Sequence, residues 1–282
     1  MTLRQLHYAI FSKQEIPYTN THADYRRLSR MTTGARRAYR DWQLNGDPVD
    51  PPTIDRAIPG AWIVDETREA ERVNVWENAA DYIETVRRAY RRDNWQGQRN
   101  YCEIWSEKAT ILSSIRPIAN KWGVTLRVCH GFSSTGMETD TGALFENTDK
   151  AITVYWLGDH DPSGRCIEED IHRRVQTSSG RQFWMERLAI HPDDIQRFNL
   201  PPQIVKETDT RARAFRQQYG SAAATVELDA LPVEELRYRI EEAIQGLLDI
   251  ELWNHQLRIQ DVEFASITKI ADAMKNLPQG EA

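Results

Sequence analysis

The 282-residue chain lacks most of the features that identify an enzyme at sight. It holds three cysteines, Cys102, Cys129 and Cys166, with no C-x-x-C pair, so a disulfide framework and a zinc ribbon are both excluded. Their apolar or helical surroundings predict reduced core thiols. Seven histidines are scattered without H-x-H or H-E-x-x-H spacing, which removes the common zinc hydrolases. No apolar run reaches the roughly 18 residues of a membrane span. The first residues carry charge rather than an apolar signal segment. A cytoplasmic protein without a membrane partner is therefore expected. No G-x-x-x-x-G-K-[ST] phosphate loop is present, and neither is a repeat or a low-complexity tract. Excess positive charge is missing too: the formal net charge is −6, which argues against a uniformly basic nucleic-acid binder but not against segregated charge.

What the chain does have is 40% hydrophobic residues and nine tryptophans, enough for packed cores in a sequence long enough for more than one domain. Apolar spacing predicts a helix over 2–12 capped by Thr2 and helices over 22–31 and 33–44, parted at Thr32-Thr33-Gly34. A Pro- and Gly-rich loop over 45–61, a short strand at Trp62-Ile63-Val64 and a helix over 76–92 follow. Three helices with a loop and strand make a winged-helix pattern. Gln96–Asn100 reads as a linker. Beyond it, strands at Tyr101–Trp105, Val124–Cys129 and Ile152–Leu157 alternate with helices at Ala109–Trp122 and Ser163–Gln176, the signature of a parallel α/β sheet. Residues 131–149 are polar and include a loop. Pro201-Pro202 marks a break, and Leu231–Met274 is helical. The expected organisation is a mostly α winged-helix-like domain over 1–97, a parallel α/β domain over 98–200 and a mostly helical extension over 201–282.

The chemistry concentrates at the strand ends. The run Ile152–Leu157 closes on Gly158-Asp159-His160-Asp161-Pro162-Ser163-Gly164, a strand, acidic turn and helix start. Tyr101–Trp105 closes on Ser106-Glu107-Lys108. Ligands of open α/β sheets gather at the carboxyl ends of strands. Three carboxylates there would suit a hard cation such as Mg2+. His160, between the aspartates, reads as a surface residue. Glu227 and Asp229 could support a metal or contact DNA, but read more simply as helix N-terminal carboxylates favoured by the dipole. Between His22 and Arg40 lie six arginines, Arg26, Arg27, Arg30, Arg36, Arg37 and Arg40, against the single acid Asp24. In a helix-turn-helix such residues meet phosphates and give a salt-sensitive grip on double-stranded DNA.

Apolar-Glu-Lys followed by apolar-Asp-x-Asp-Pro-x-Gly resembles the Toprim domain, in the version found in the A subunit of type IIB topoisomerases (topoisomerase VI) and in its meiotic DNA-breaking relative. The resemblance implies that Glu107, Asp159 and Asp161 hold Mg2+. Leu3-Arg4-Gln5-Leu6-His7-Tyr8 is similar to the family's arginine–x–apolar–x–tyrosine stretch, with His7 where an aromatic is usual and less chain before it. Tyr8 would then be the nucleophile, forming a 5′-phosphotyrosyl link and a free 3′-hydroxyl, with Arg4 a turn away to activate it. Weaker likeness to stand-alone phage and prophage Toprim proteins runs through 63–68, 187–202, 208–211 and 226–231. The family implies a homodimer in which Tyr8 of one protomer meets the acids of the other, and an ATPase on a separate subunit. It also implies a nucleoid-associated or mobile-element-encoded protein. Two other functions remain open: a metal-dependent endonuclease using water, with Tyr8 structural, and a non-catalytic DNA- or partner-binding module.

Overall fold

The computed structural model describes residues 1–46, 56–63, 73–129, 135–205, 210–220 and 222–275. Helix α1 (Leu3–Lys13) opens on a capping box: Thr2 Oγ1 accepts from the Gln5 amide at 3.3 Å and the Gln5 side chain accepts from the Thr2 amide at 2.8 Å. Helix α2 (His22–Asn45) starts at Thr21, whose side chain accepts from the Asp24 amide. The two helices expected over 22–31 and 33–44 are thus one. Thr32 does not break it, because its hydroxyl turns back onto the Leu28 carbonyl at 2.9 Å and is buried beside Leu28. Gly34 inside a helix costs about 1 kcal/mol relative to alanine, a penalty that tertiary packing overrides. Gly60–Trp62 is a short 3-10 turn, so Trp62 does not open the strand expected at Trp62-Ile63-Val64. Val64 and most of the 45–61 loop lie outside the described residues, as do 65–68, 131–134, 208 and 209.

Helix α3 (Ala79–Ala89), capped by Asn78, packs on the long C-terminal helix α10 (Ile250–Lys275). Arg92, just past α3, joins the two through Glu263 at 2.6 Å and Gln256 at 2.8 Å. The expected linker Gln96–Asn100 is packed: Gln98 is buried, and its side-chain amide exchanges hydrogen bonds with the Asp249 backbone at 3.0 and 2.9 Å.

The centre of the molecule is a parallel sheet of β1 (Asn100–Ser106), β2 (Thr125–Val128), β3 (Ala151–Leu157) and β4 (Trp184–Ala189), in the order β2-β1-β3-β4. Successive side chains of a strand point to opposite faces. Ile104, Tyr155 and Leu157 accordingly join one core with Ile115 of α4 (Leu112–Trp122) and with Leu236, Ile240 and Ile244 of α9 (Val233–Leu247). Trp105, Val154 and Trp156 join the other, with Phe145 of α5 (Thr135–Glu146) and with Ile167, Ile171 and Val175 of α6 (Pro162–Ser179). Cover on both faces explains why these strands read as unbroken apolar runs.

Helix α5 occupies much of the expected 131–149 loop; its polar residues face solvent, while Phe145 and Thr141 are buried. The C-terminal helix is two helices: Leu248 leaves helical geometry at ψ 136° and Asp249 carries the turn into α10. Between β4 and α9, α7 (Asp194–Arg197), β5 (Gln203–Ile204), α8 (Ala212–Tyr219) and β6 (Ala224–Thr225) form an arm, with β5 and β6 antiparallel. All three cysteines are free thiols, Cys102 and Cys129 buried. No described helix is long and apolar enough to cross a membrane.

Candidate active site

Strand register assembles the acids. Ser106 pairs with Leu157 across β1 and β3, so both chains leave the sheet side by side. The Glu107 amide donates to the Leu157 carbonyl at 2.9 Å, and Glu107 Oε2 accepts from the Asp159 amide at 3.1 Å. Asp161 caps α6, its Oδ1 accepting from Gly164 N at 2.6 Å. The turn needs Gly164: a Cβ there would lie 2.6 Å from the Asp159 carbonyl oxygen and 2.9 Å from Glu107 Oε2. Glu107, Asp159 and Asp161 are therefore gathered at the carboxyl ends of β1 and β3.

Lys108 is the hub that the sequence reading passed over. Its Nζ lies 2.8 Å from Asp159 Oδ2, 3.1 Å from Glu227 Oε2 and 3.5 Å from Asp229 Oδ2. Glu227 and Asp229 are not at the start of α9, as expected; they precede it and turn inward onto Lys108. What turns them is His160. Its backbone exchanges hydrogen bonds with Val226 at 2.9 and 3.0 Å, and its ring packs on Phe215 and Tyr219 of α8. His160 is thus buried rather than exposed, and burial, with Arg187 and Arg165 nearby, lowers its pKa to about 4. The Leu228 amide then donates to Asp159 Oδ1 at 2.7 Å, closing the arm over the acids.

The chain continues through Glu227 to the N-terminal helix. Arg4 Nη2 meets Glu227 at 2.7 Å. Two adjoining cavities, of about 610 and 430 Å3, share Arg4, Gln203 and Glu227 as their common wall; Tyr8 lines the first, and Lys108, Asp159 and Asp161 the second. Tyr8 and the two aspartates, implied by the resemblance to meet across a dimer, thus line adjoining cavities of a single chain. His7, where the family carries an aromatic, serves as one: its ring packs against Tyr8, Tyr18 and Tyr25 while its nitrogens bond Tyr18 Oη at 2.7 Å and Asn20 Oδ1 at 3.0 Å.

Electrostatics grade the groups. Burial, with the Asp159 carboxylate beside it, pushes Glu107 up to about 7. Burial also raises Asp159, against the pull of Lys108. Glu227 ends below its ordinary value because Lys108 and Arg4 outweigh its burial. Lys108 ends above its own, since Asp159, Asp229 and Glu227 outweigh its burial. Burial and Glu227 raise the Tyr8 phenol to about 12, with Arg4 opposing them.

The donor set suits magnesium. Among the described residues, five carboxylates, Glu107, Asp159, Asp161, Glu227 and Asp229, gather around two cations, Arg4 and Lys108. Among the described residues no three His, Cys, Asp or Glu side chains already close around one point. Mg2+ does not require that: it keeps several waters and takes one or two carboxylates together with substrate phosphates. Glu107 Oε1 and Asp161 Oδ2 accept no hydrogen bond among the described residues.

The arginines divide. At 100° per residue, Arg26, Arg30, Arg37 and Arg40 fall within about 80° of one another on α2, and His22, which lines the larger cavity, shares that face. From His22 to Arg40 the stripe runs about 27 Å at 1.5 Å per residue. Arg27 lies a quarter-turn off the stripe. Arg36 lies about 40° beyond Arg40, toward the buried side of the helix that carries Leu28 and Thr32; it is half-buried, its guanidinium on the Ile63 carbonyl at 3.4 Å.

Compared with known proteins, the chain matches no family model and no curated protein.

Proposed function

We propose that this chain breaks DNA in a magnesium-dependent transesterification, as the resembling topoisomerase VI A subunit does, with Tyr8 as nucleophile. The observation that carries this reading is the series of contacts Tyr8–Arg4–Glu227–Lys108–Asp159–Glu107, which runs from the one cavity to the other. Magnesium, held by Glu107, Asp159 and Asp161, would supply positive charge to the scissile phosphate and the departing oxygen. Arg4 and Lys108 face the same cleft and neutralise the phosphate from the protein side. The Tyr8 oxygen forms a bond to phosphorus as the bond to the 3′-oxygen breaks. The phenol proton passes to Glu227, and the 3′-oxygen takes a proton from water. One ester replaces another, so religation needs no energy source.

The stripe of Arg26, Arg30, Arg37 and Arg40 gives duplex DNA a track of phosphate contacts leading to the cleft. Two copies acting together, one per strand, would make a double-strand break. Strand passage would draw on a separate ATPase subunit, since this sequence carries no phosphate loop. The winged-helix and Toprim assignments belong to the same reading.

A water-using nuclease is the second reading. Tyr8 is only 3% exposed and its phenol resists ionisation near neutral pH, which favours a nucleophile at the acids instead. In both readings, nicking or linearisation of a supercoiled plasmid requires Mg2+ and is abolished by Glu107→Gln. Cleavage by that variant equal to wild type would overturn both.

A further inference from the structure

The acidic centre already holds a cation of the chain's own, the Lys108 ammonium among Asp159, Glu227 and Asp229. We infer that the Lys108 ammonium stands in the place of a second metal ion, so that this centre binds a single divalent cation. The inference rests on the reading of Glu107, Asp159 and Asp161 as magnesium ligands.

Three observations carry it. The first is position: Nζ is bracketed by Asp159, Glu227 and Asp229 at 2.8, 3.1 and 3.5 Å. The shortest is a charge-assisted hydrogen bond and the other two are looser ion pairs, so the ammonium sits nearest Asp159. The second is Asp229. Its side chain is fully buried; among the described residues neither oxygen accepts a hydrogen bond, and Lys108 is the one cation paired with it. A buried carboxylate with no donors requires a positive charge at hand. The third is how firmly the lysine is aimed. Ser106 Oγ accepts from the Lys108 amide at 3.1 Å and donates to its carbonyl at 2.8 Å, a closed turn that directs the side chain into the cluster. Asp159 is shared: one oxygen faces Lys108, and its backbone amide anchors Glu107 on the metal side. Asp159 Oδ1 accepts from the Leu228 amide at 2.7 Å, so the ammonium holds the Oδ2 side of this aspartate while Glu107 lies against its backbone. Because Lys108 also lines the cavity, it presents its charge to the bound phosphate at a fixed place.

The test counts Mn2+ ions on the full-length chain by electron paramagnetic resonance of the unbound ion, which needs no DNA and no activity. Wild type is expected to bind one. Lys108→Gln, which keeps donors for the carboxylates but removes the charge, is expected to bind two, the second within about tenfold of the first in affinity. Lys108→Arg restores one, and Lys108→Gln with Asp229→Asn also binds one. Circular dichroism checks folding. If Lys108→Gln folds poorly without metal, its melting temperature is expected to rise more steeply with Mn2+ than wild type's, since binding to the folded state stabilises it. Two ions on wild type, or one on Lys108→Gln with no added thermal response, would overturn the inference while leaving the magnesium site standing. No ion on wild type at millimolar Mn2+, with or without duplex DNA, would overturn the magnesium site itself.

Discussion

Glu107 is the group whose ionisation the fold opposes most visibly, and that opposition is measurable as stability. Its pKa stands at about 7 against 4.5 for the free side chain. In the range between those values the folded state holds a proton that the unfolded chain has released. Stability therefore falls as pH rises through that range and levels off above about 7, the sign for an acid with a raised pKa. At about 1.4 kcal/mol per pKa unit, the loss between pH 5 and pH 8 is about 2–3 kcal/mol. Glu107→Gln mimics the protonated acid and can still accept from the Asp159 amide. Other titrations largely cancel in the difference between the two proteins. Urea unfolding of both in EDTA at pH 5 and pH 8 is expected to show wild type losing about 2–3 kcal/mol relative to the variant. Adding Mg2+ should reverse the trend for wild type alone, because the cation requires the ionised acid. Metal affinity should likewise weaken about tenfold from pH 8 to pH 6, as one proton competes with it. Parallel pH profiles for wild type and Glu107→Gln would refute the assigned environment of Glu107.

Three other expectations follow from the geometry. Asp161→Asn retains a good helix cap and should cost under about 0.5 kcal/mol in thermal unfolding, whereas Asp161→Ala should cost about 1 kcal/mol; both should lose DNA cleavage. Gly164→Ala drives a methyl group to 2.6 Å from the Asp159 carbonyl and 2.9 Å from Glu107. The cost should be about 1–3 kcal/mol in denaturant unfolding, with metal binding weakened as Glu107 is displaced. Replacing Arg26, Arg30, Arg37 and Arg40 with alanine should flatten the log–log salt dependence of duplex binding by about 3–4 in slope, read by fluorescence anisotropy, whereas Arg36→Ala should change stability rather than slope.

The parts legible in the sequence were those fixed locally. Alternation of strand and helix identified β1, β2 and β3, and the turn residues after Leu157 and Ser106 identified the strand-end acids, because the strand period and turn chemistry act over a few residues. Thr32-Thr33-Gly34 misled because breaker residues set only a local preference, and the burial of Leu28 and Thr32 overrode it. Helix α5 was hidden by its composition, since one buried edge with Phe145 and Thr141 suffices to hold it. The inward turn of Glu227 and Asp229 depends on the bridge between His160 and Val226, a contact between residues far apart in the chain. No pattern near residue 227 specifies it. The E-x-D pair Glu227-Leu228-Asp229 was the one available signal, and dipole stabilisation at a helix start was a sufficient local explanation for it. Lys108 appeared in the sequence only as part of the Glu-Lys motif, with no role of its own, because its three carboxylate partners come from two other segments.

The measurement that tests the account most directly asks what is left on the DNA. Wild type, incubated with duplex DNA and Mg2+ and then denatured with detergent, is expected to leave protein covalently attached to 5′ ends through Tyr8, with free 3′-hydroxyls. Tyr8→Phe removes one oxygen from a ring that is otherwise packed in place, and is expected to bind metal and DNA while yielding neither cleavage nor adduct. Cleavage by Tyr8→Phe at the wild-type rate, with no protein on the ends, would contradict the transesterification and assign the chemistry to water at the Glu107, Asp159 and Asp161 centre.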